Sequence, residues 1–275
     1  MMLNNKLRLR ITGGLILLLF LMSACSTVPV TGRVALDMVS DEEVIKMSAE
    51  AFGEMKRRYP QSRNPQYRAI VERVGKRITD AISWDIQNAD WEFIVFEDPD
   101  RINAFAMAGG KVGVFTGLFR IAKSEEDLAV VIGHELAHVA AKHVNEKLSQ
   151  EMLIQGAGQA AAMATSGQGY YTRKILLDVY GLGSQVGTFA FTRKKEMEAD
   201  YIGLIYMARA VYDPRKAIDF WERMDKETRG KPVPSQWLST HPSHDNRILL
   251  LHRNMPEAVN VYEGGNVESR IQVIE

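Results

Sequence analysis

One cysteine, Cys25, is all that 275 residues contain. No intramolecular disulfide can form, so stability has to come from a buried core. An excess of either charge is missing too, since 34 Lys and Arg balance 34 Asp and Glu. Nucleic-acid-binding domains usually carry a strong basic excess, so nucleic acid is not an expected partner. Long hydrophobic runs are absent: the apolar stretch at residues 11–22, ITGGLILLLFLM, has 12 residues. A comfortable membrane-spanning helix needs about 20. There is no internal repeat and no heptad run, which excludes a solenoid or a long coiled coil. What remains is a chain with 46% hydrophobic residues, ample for one well-buried domain with at most a small appendage.

The N-terminus reads as an export signal. Lys6, Arg8 and Arg10 precede the apolar run, and Ser23, Ala24 and Cys25 follow it. A basic segment, a short apolar segment and small residues describe a secretory signal peptide rather than an uncleaved anchor helix. Leu21-Met-Ser-Ala-Cys25 resembles a bacterial lipobox, in which the cysteine is lipidated and becomes the first residue of the mature chain. The resemblance implies lipid anchoring through Cys25, and Ser26 in place of an aspartate implies the outer membrane of a Gram-negative cell. Loss of residues 1–24 takes three basic residues and no acid, leaving 251 residues with net charge −3.

Residues 25–39 read as a tether. Ser40-Asp-Glu-Glu43 is a capping-box pattern, and Val44, Met47, Ala51 and Met55 follow at helical spacing. Asn64-Pro65 starts a second helix to about Ile82. The period then shortens. Trp91–Phe96, Ile102–Met107 and Lys111–Phe115 read as strands, with a Gly109-Gly110 turn, and one small antiparallel sheet is expected. Ser124-Glu-Glu-Asp127 launches a further helix, and the remainder is mostly helical. Residues 155–170, rich in Gly and Ala, read either as a helix with a loop or as a lid over a site.

The chemistry lies in His134-Glu-Leu-Ala-His138. Histidines at i and i+4 project from one helix face, so both can reach one zinc ion at about 2 Å. Glu135 is placed to contact a water on the metal and act as its base. A five-residue pattern also arises by chance, so the site needs a third ligand. Glu196, 58 residues beyond His138, shares a face with Asp200 at i+4. Glu196 would bind zinc, and Asp200 would accept the N–H of a ligating histidine. The alternative is a charged solvent face, of which Arg193–Lys195 are the more solvated part. Glu198 is expected to face away. His143 falls about 140° round the helix from His138 and is expected to play no part.

HELAH followed by Thr192-Arg193, Glu196 and Ala199-Asp200 resembles the gluzincin peptidases of family M48, the HtpX, Oma and CAAX prenyl protease types. Asn103-Ala104-Phe105 and Thr116-Gly117-Leu118 fit the segment that precedes the zinc helix in that family. The resemblance runs from about residue 40 to 255. It implies that substrate binds along the Asn103, Ala104 and Phe105 strand. It also implies that the His241-Pro242 element and Arg247 lie near the zinc. His241 would serve as a reversible fourth ligand or an oxyanion donor, and Arg247 would pair with a carboxylate or polarise the intermediate. His244 and His252 are expected at the surface.

The expectation is an α+β, mainly α chain. Residues 1–24 form the signal, 25–39 the tether, 40–255 the metallopeptidase domain and 256–275 a C-terminal extension. One zinc per chain sits between the two motif helices. The expected function is zinc-dependent endopeptidase action on unfolded or misassembled periplasmic and outer-membrane proteins, in envelope quality control. Contact with outer-membrane assembly machinery is also expected. The alternative is a zinc-bound, largely closed chaperone or assembly factor. Residues 259–275 are too short for a repeat array that would recruit partners.

Overall fold

Serine, asparagine and threonine side chains start the helices where the sequence places them. The computed structural model describes residues 25–153, 191–228, 237, 240–241 and 246–265. In it, α1 (Asp41–Arg58) is capped by Ser40 and α2 (Pro65–Ala81) by Asn64. Ser124 caps α3 (Glu125–Ala140), and Thr192 caps α4 (Arg193–Arg209). Each cap accepts a hydrogen bond from a backbone N–H that the first turn would otherwise leave unpaired. Two further helices, α5 (Lys216–Thr228) and α6 (Arg247–Tyr262), complete those described in full.

Strands β1 (Cys25–Thr27) and β2 (Val34–Leu36) form a hairpin. A second sheet holds β3 (Glu92–Phe96), β4 (Ala104–Met107) and β5 (Lys111–Phe115), in the order β3-β5-β4. It is mixed, not wholly antiparallel as expected. The β4–β5 hairpin is antiparallel, turning through Gly109 and Gly110 at φ 78° and 85°, but β3 runs parallel to β5. Residue alternation fixes which face a side chain takes and says nothing of strand order, so β5 could insert between its predecessors unannounced. β4 is left at the edge.

Alternation along the strands divides the core. Val95, Ala104, Ala106, Val112 and Val114 face the cluster built with α2, α3 and α4. Ile94, Phe96, Phe105, Met107 and Phe115 face a second cluster with Phe52 and Met55 of α1. The sheet therefore lies between α1 and the helix layer. Within that layer α3 and α4 cross at Gly133 and Gly203. A Cβ on Gly203 would lie 2.8 Å from the His134 nitrogen, and one on Gly133 would lie 2.9 Å from the Gly203 oxygen. Only glycine permits this approach, which sets the His134 face against the Glu196 face.

Two expected boundaries differ. Residues 25–39 are folded rather than a loose tether. Val28 and Ala35 are buried in the main cluster, and Asn145 and Lys142 hold Asp37 and Asp41. At the other end α6 runs on to Tyr262, with Ala258 and Val261 buried, so residue 255 is not an edge. The apolar positions simply continue past Pro256. The 155–170 segment, the 1–24 signal and His244 lie outside the described residues. No described helix is long and apolar enough to cross a membrane.

Candidate metal centre

Helix α3 is buried on nearly every face, and it carries His134, Glu135 and His138 into the interior. Helix α4 brings Glu196 and Asp200 from the opposite side, and His241 and Arg247 close the third side. Ligand atoms from His134, His138, Glu196 and His241 all lie within 4.8 Å of one another, and all four residues are buried. The spacings are narrow. His138 Nε2 lies 3.1 Å from His134 Nε2, and His241 Nδ1 lies 3.3 Å from His134 Nε2 and 3.1 Å from Glu196 Oε1. Glu196 oxygens are 3.4 Å from His138 Nε2 and 3.5 Å from His134 Nε2.

Four donors about 2 Å from a common centre at tetrahedral angles stand about 3.3 Å apart. The five distances just given, 3.1–3.5 Å, lie near that figure, and three imidazole nitrogens with one carboxylate are a donor set that suits zinc. Ionisation agrees. Burial drives His138 well below its ordinary range against the pull of Glu196, so its Nε2 offers a lone pair. Burial opposes the charge on Glu196, but His241, His134 and His138 outweigh it and hold the carboxyl well below its usual range. Burial likewise opposes the charge on His134, yet in this metal-free geometry Asp200 and Glu196 raise it to about 9.

Behind the donors sit the groups that aim them. Asp200 Oδ1 is 3.0 Å from His134 Nδ1, a distance at which a carboxylate can fix the orientation of an imidazole. Arg247 donates to Asp200 at 2.7 Å and to Glu196 at 3.0 Å, so it pairs with carboxylates, the first of its two expected roles. Its guanidinium lies 4.0 Å from the Trp221 ring centre. Trp237 stacks on His241 at 4.4 Å, and Phe191 on His138 at 4.1 Å. These rings fix the imidazole planes and keep water out.

Glu135 is buried next to the donors, with Oε1 3.4 Å from His241 Nε2. Burial raises its proton affinity, His241 and His134 oppose that, and the Ala106 backbone hydrogen-bonds the carboxylate. Asn103 is 1% exposed, and neither amide atom has a hydrogen-bond partner among the described residues. The ring of Phe105 lies in the α1-side cluster, so it packs the core. Cys25 is exposed at the start of β1. His252 is exposed, as expected.

Two expectations fail here. His143 is fully buried, with Nδ1 2.8 Å from His138 Nδ1 and Nε2 3.0 Å from Glu198 Oε2. The 3.6-residue period does not reach it, because α3 ends at Ala140 and Lys142 takes φ 52°, which turns the chain back toward the site. Glu198 faces inward because the start of α4 is walled on two sides, by α3 and by residues 31–33 with 143–146. Lys195 is buried for the same reason. The sequence does show a third histidine five residues on, but not the break that makes it useful.

Residues 64–254 match the profile of Peptidase family M48. The chain is 36% identical over 84% of its length to the mitochondrial metalloendopeptidase OMA1 of Schizosaccharomyces pombe. It is 30% identical over 91% to the human metalloendopeptidase OMA1, and 30% over 54% to the beta-barrel assembly-enhancing protease of Yersinia pestis. It spans about half the length of the curated relatives it matches, from 31% to 66% in these three.

Proposed function

This chain belongs to peptidase family M48, the zinc metallopeptidases, and on that footing we propose that it is a zinc endopeptidase. His134, His138 and Glu196 are the proposed ligands. The observation that carries the reading is the convergence of these donors with Glu135 in one buried pocket. Bound there, zinc supplies Lewis-acid polarisation of a peptide carbonyl and a lowered pKa for the attacking water.

The protein groups divide the remaining work. Glu135 takes a proton from the attacking water and delivers it to the leaving amine, a task that its burial-raised proton affinity suits. Strand β4 ends its sheet beside α3, and a substrate strand adds along the Asn103, Ala104 and Phe105 backbone. The unpartnered amide of Asn103 offers the acceptor and donor that one peptide group requires. Asp200 and Arg247 hold His134 and Glu196 in place. His241 stands where a fourth donor belongs and acts as a gate that must swing out before substrate enters.

For location and substrate, the reading is a lipoprotein anchored through Cys25 at the periplasmic side of the outer membrane, acting on misassembled envelope proteins. Support comes from the lipobox-like Leu21–Cys25 and from a relative named for β-barrel assembly. A second reading, a closed zinc-bound chaperone for such proteins, draws on the fourth-donor position of His241. Glu135 weighs against it, since a merely structural site has no use for a buried acid there.

Zinc analysis and a casein cleavage assay on wild type and Glu135→Gln test the reading. About one zinc per chain is expected in both, with cleavage in wild type and at least about 100-fold less in the variant. Equal cleavage by the two would sink the mechanism, and absence of zinc from both would sink the site.

A further inference from the structure

One buried acid has no part in the chemistry above. Glu198 accepts from Thr31 Oγ1 at 2.8 Å, from Arg33 Nε at 2.8 and 3.0 Å and, on its inner side, faces His143 Nε2 at 3.0 Å. Arg33 also donates to Glu146 at 3.0 Å, and Glu146 in turn meets Lys195 at 3.5 Å. Thr31 and Arg33 belong to the loop between β1 and β2. The network thus begins on the N-terminal hairpin and ends, through His143, on the Nδ1 of His138.

Hydrogen-bond direction along this row is determined by chemistry. His138 turns Nε2 toward His134 and Glu196, so as a neutral ligand it carries its proton on Nδ1. That N–H donates to His143 Nδ1, leaving the His143 proton on Nε2, where it donates to Glu198. Every atom is satisfied. The opposite arrangement has His143 donating to His138, which sets a bare nitrogen lone pair against the Glu198 carboxylate. The acid therefore selects, through His143, the one His138 tautomer that presents a lone pair to a metal.

We propose that His143 and Glu198 are positioning residues for His138, and that the β1–β2 hairpin is built into the metal centre through Thr31 and Arg33. The proposal rests on the reading of His138 as a zinc ligand. A purely structural ion pair would have little need of this order, because buried pairs replaced by well-packed apolar groups often leave stability unchanged.

The test compares zinc dissociation constants, by chelator competition, with melting temperatures of the metal-free proteins. His143→Leu keeps the volume and removes the acceptor. His143→Asn keeps an acceptor oxygen where Nδ1 stood. Zinc binding about 10–100-fold weaker in the Leu variant is expected, with the Asn variant within about threefold of wild type. Arg33→Met with Thr31→Val, remote from the ligands, is expected to weaken zinc by a smaller factor of about three to ten. A Leu variant within about twofold of wild type overturns the proposal. So do Leu and Asn variants equally weakened with equally lowered metal-free melting temperatures, which would assign His143 to packing. A wild type that binds no zinc is a separate outcome, and it overturns the proposed function itself.

Discussion

At the scale of single residues, the donors come almost entirely from two helices. His241 is the exception, because it comes from outside the two motif helices and reaches the donor cluster through Nδ1 alone. Its removal leaves the three proposed ligands and an open position, the arrangement of a catalytic rather than a structural zinc site. His241→Ala is therefore expected to keep about one zinc and to raise kcat/KM on casein at least about twofold. A fall of about 100-fold or more would instead make His241 a donor to the developing oxyanion. The aromatic ring of Trp237 stacks on it, 4.4 Å away, so a swing of His241 has to break that contact.

At the scale of elements, the crossing of α3 and α4 is decisive. Glycine inside a helix ordinarily costs about 1 kcal/mol relative to alanine, yet at Gly203 the added methyl would stand 2.8 Å from the His134 nitrogen. Overpacking of that kind costs about 1–3 kcal/mol. Gly203→Ala is thus expected to lower the denaturation midpoint and to weaken zinc by pushing Glu196 away from the histidines. An unchanged or higher midpoint would show that the helices have room to spare. The same elements show what a sequence discloses. Caps at Ser40, Asn64 and Ser124 were legible because a side chain and its N–H lie within three residues. Glu196 and Asp200 were legible because a helical period spans both. His143 and Glu198 were not, because their meeting depends on where α3 stops and on a hairpin more than 100 residues earlier. The parallel pairing of β3 with β5 escaped for a like reason, being a matter of strand order.

At the scale of the whole molecule, the centre stores charge that metal is expected to neutralise. In the metal-free protein His134 is raised to about 9 from an ordinary 6.5. A group raised in this way adds stability that is fully present below about pH 6.5 and is lost as pH rises through about 9. Metal-free protein is expected to lose at most about 3 kcal/mol across that interval, and zinc-loaded protein, with its histidines kept unprotonated, much less. Urea denaturation at pH 6.5 and 9.5 measures both, and parallel curves would contradict the assignment. The hairpin carries a last consequence, one of reach. Thr31, which touches Glu198, lies six residue steps beyond Cys25, and six extended steps span about 20 Å at most. With Cys25 fastened to a bilayer as proposed, the active site works at a fixed short height above the lipid headgroups. It does not patrol on a leash, and a substrate has to present its cleavage point within a shallow layer next to the membrane.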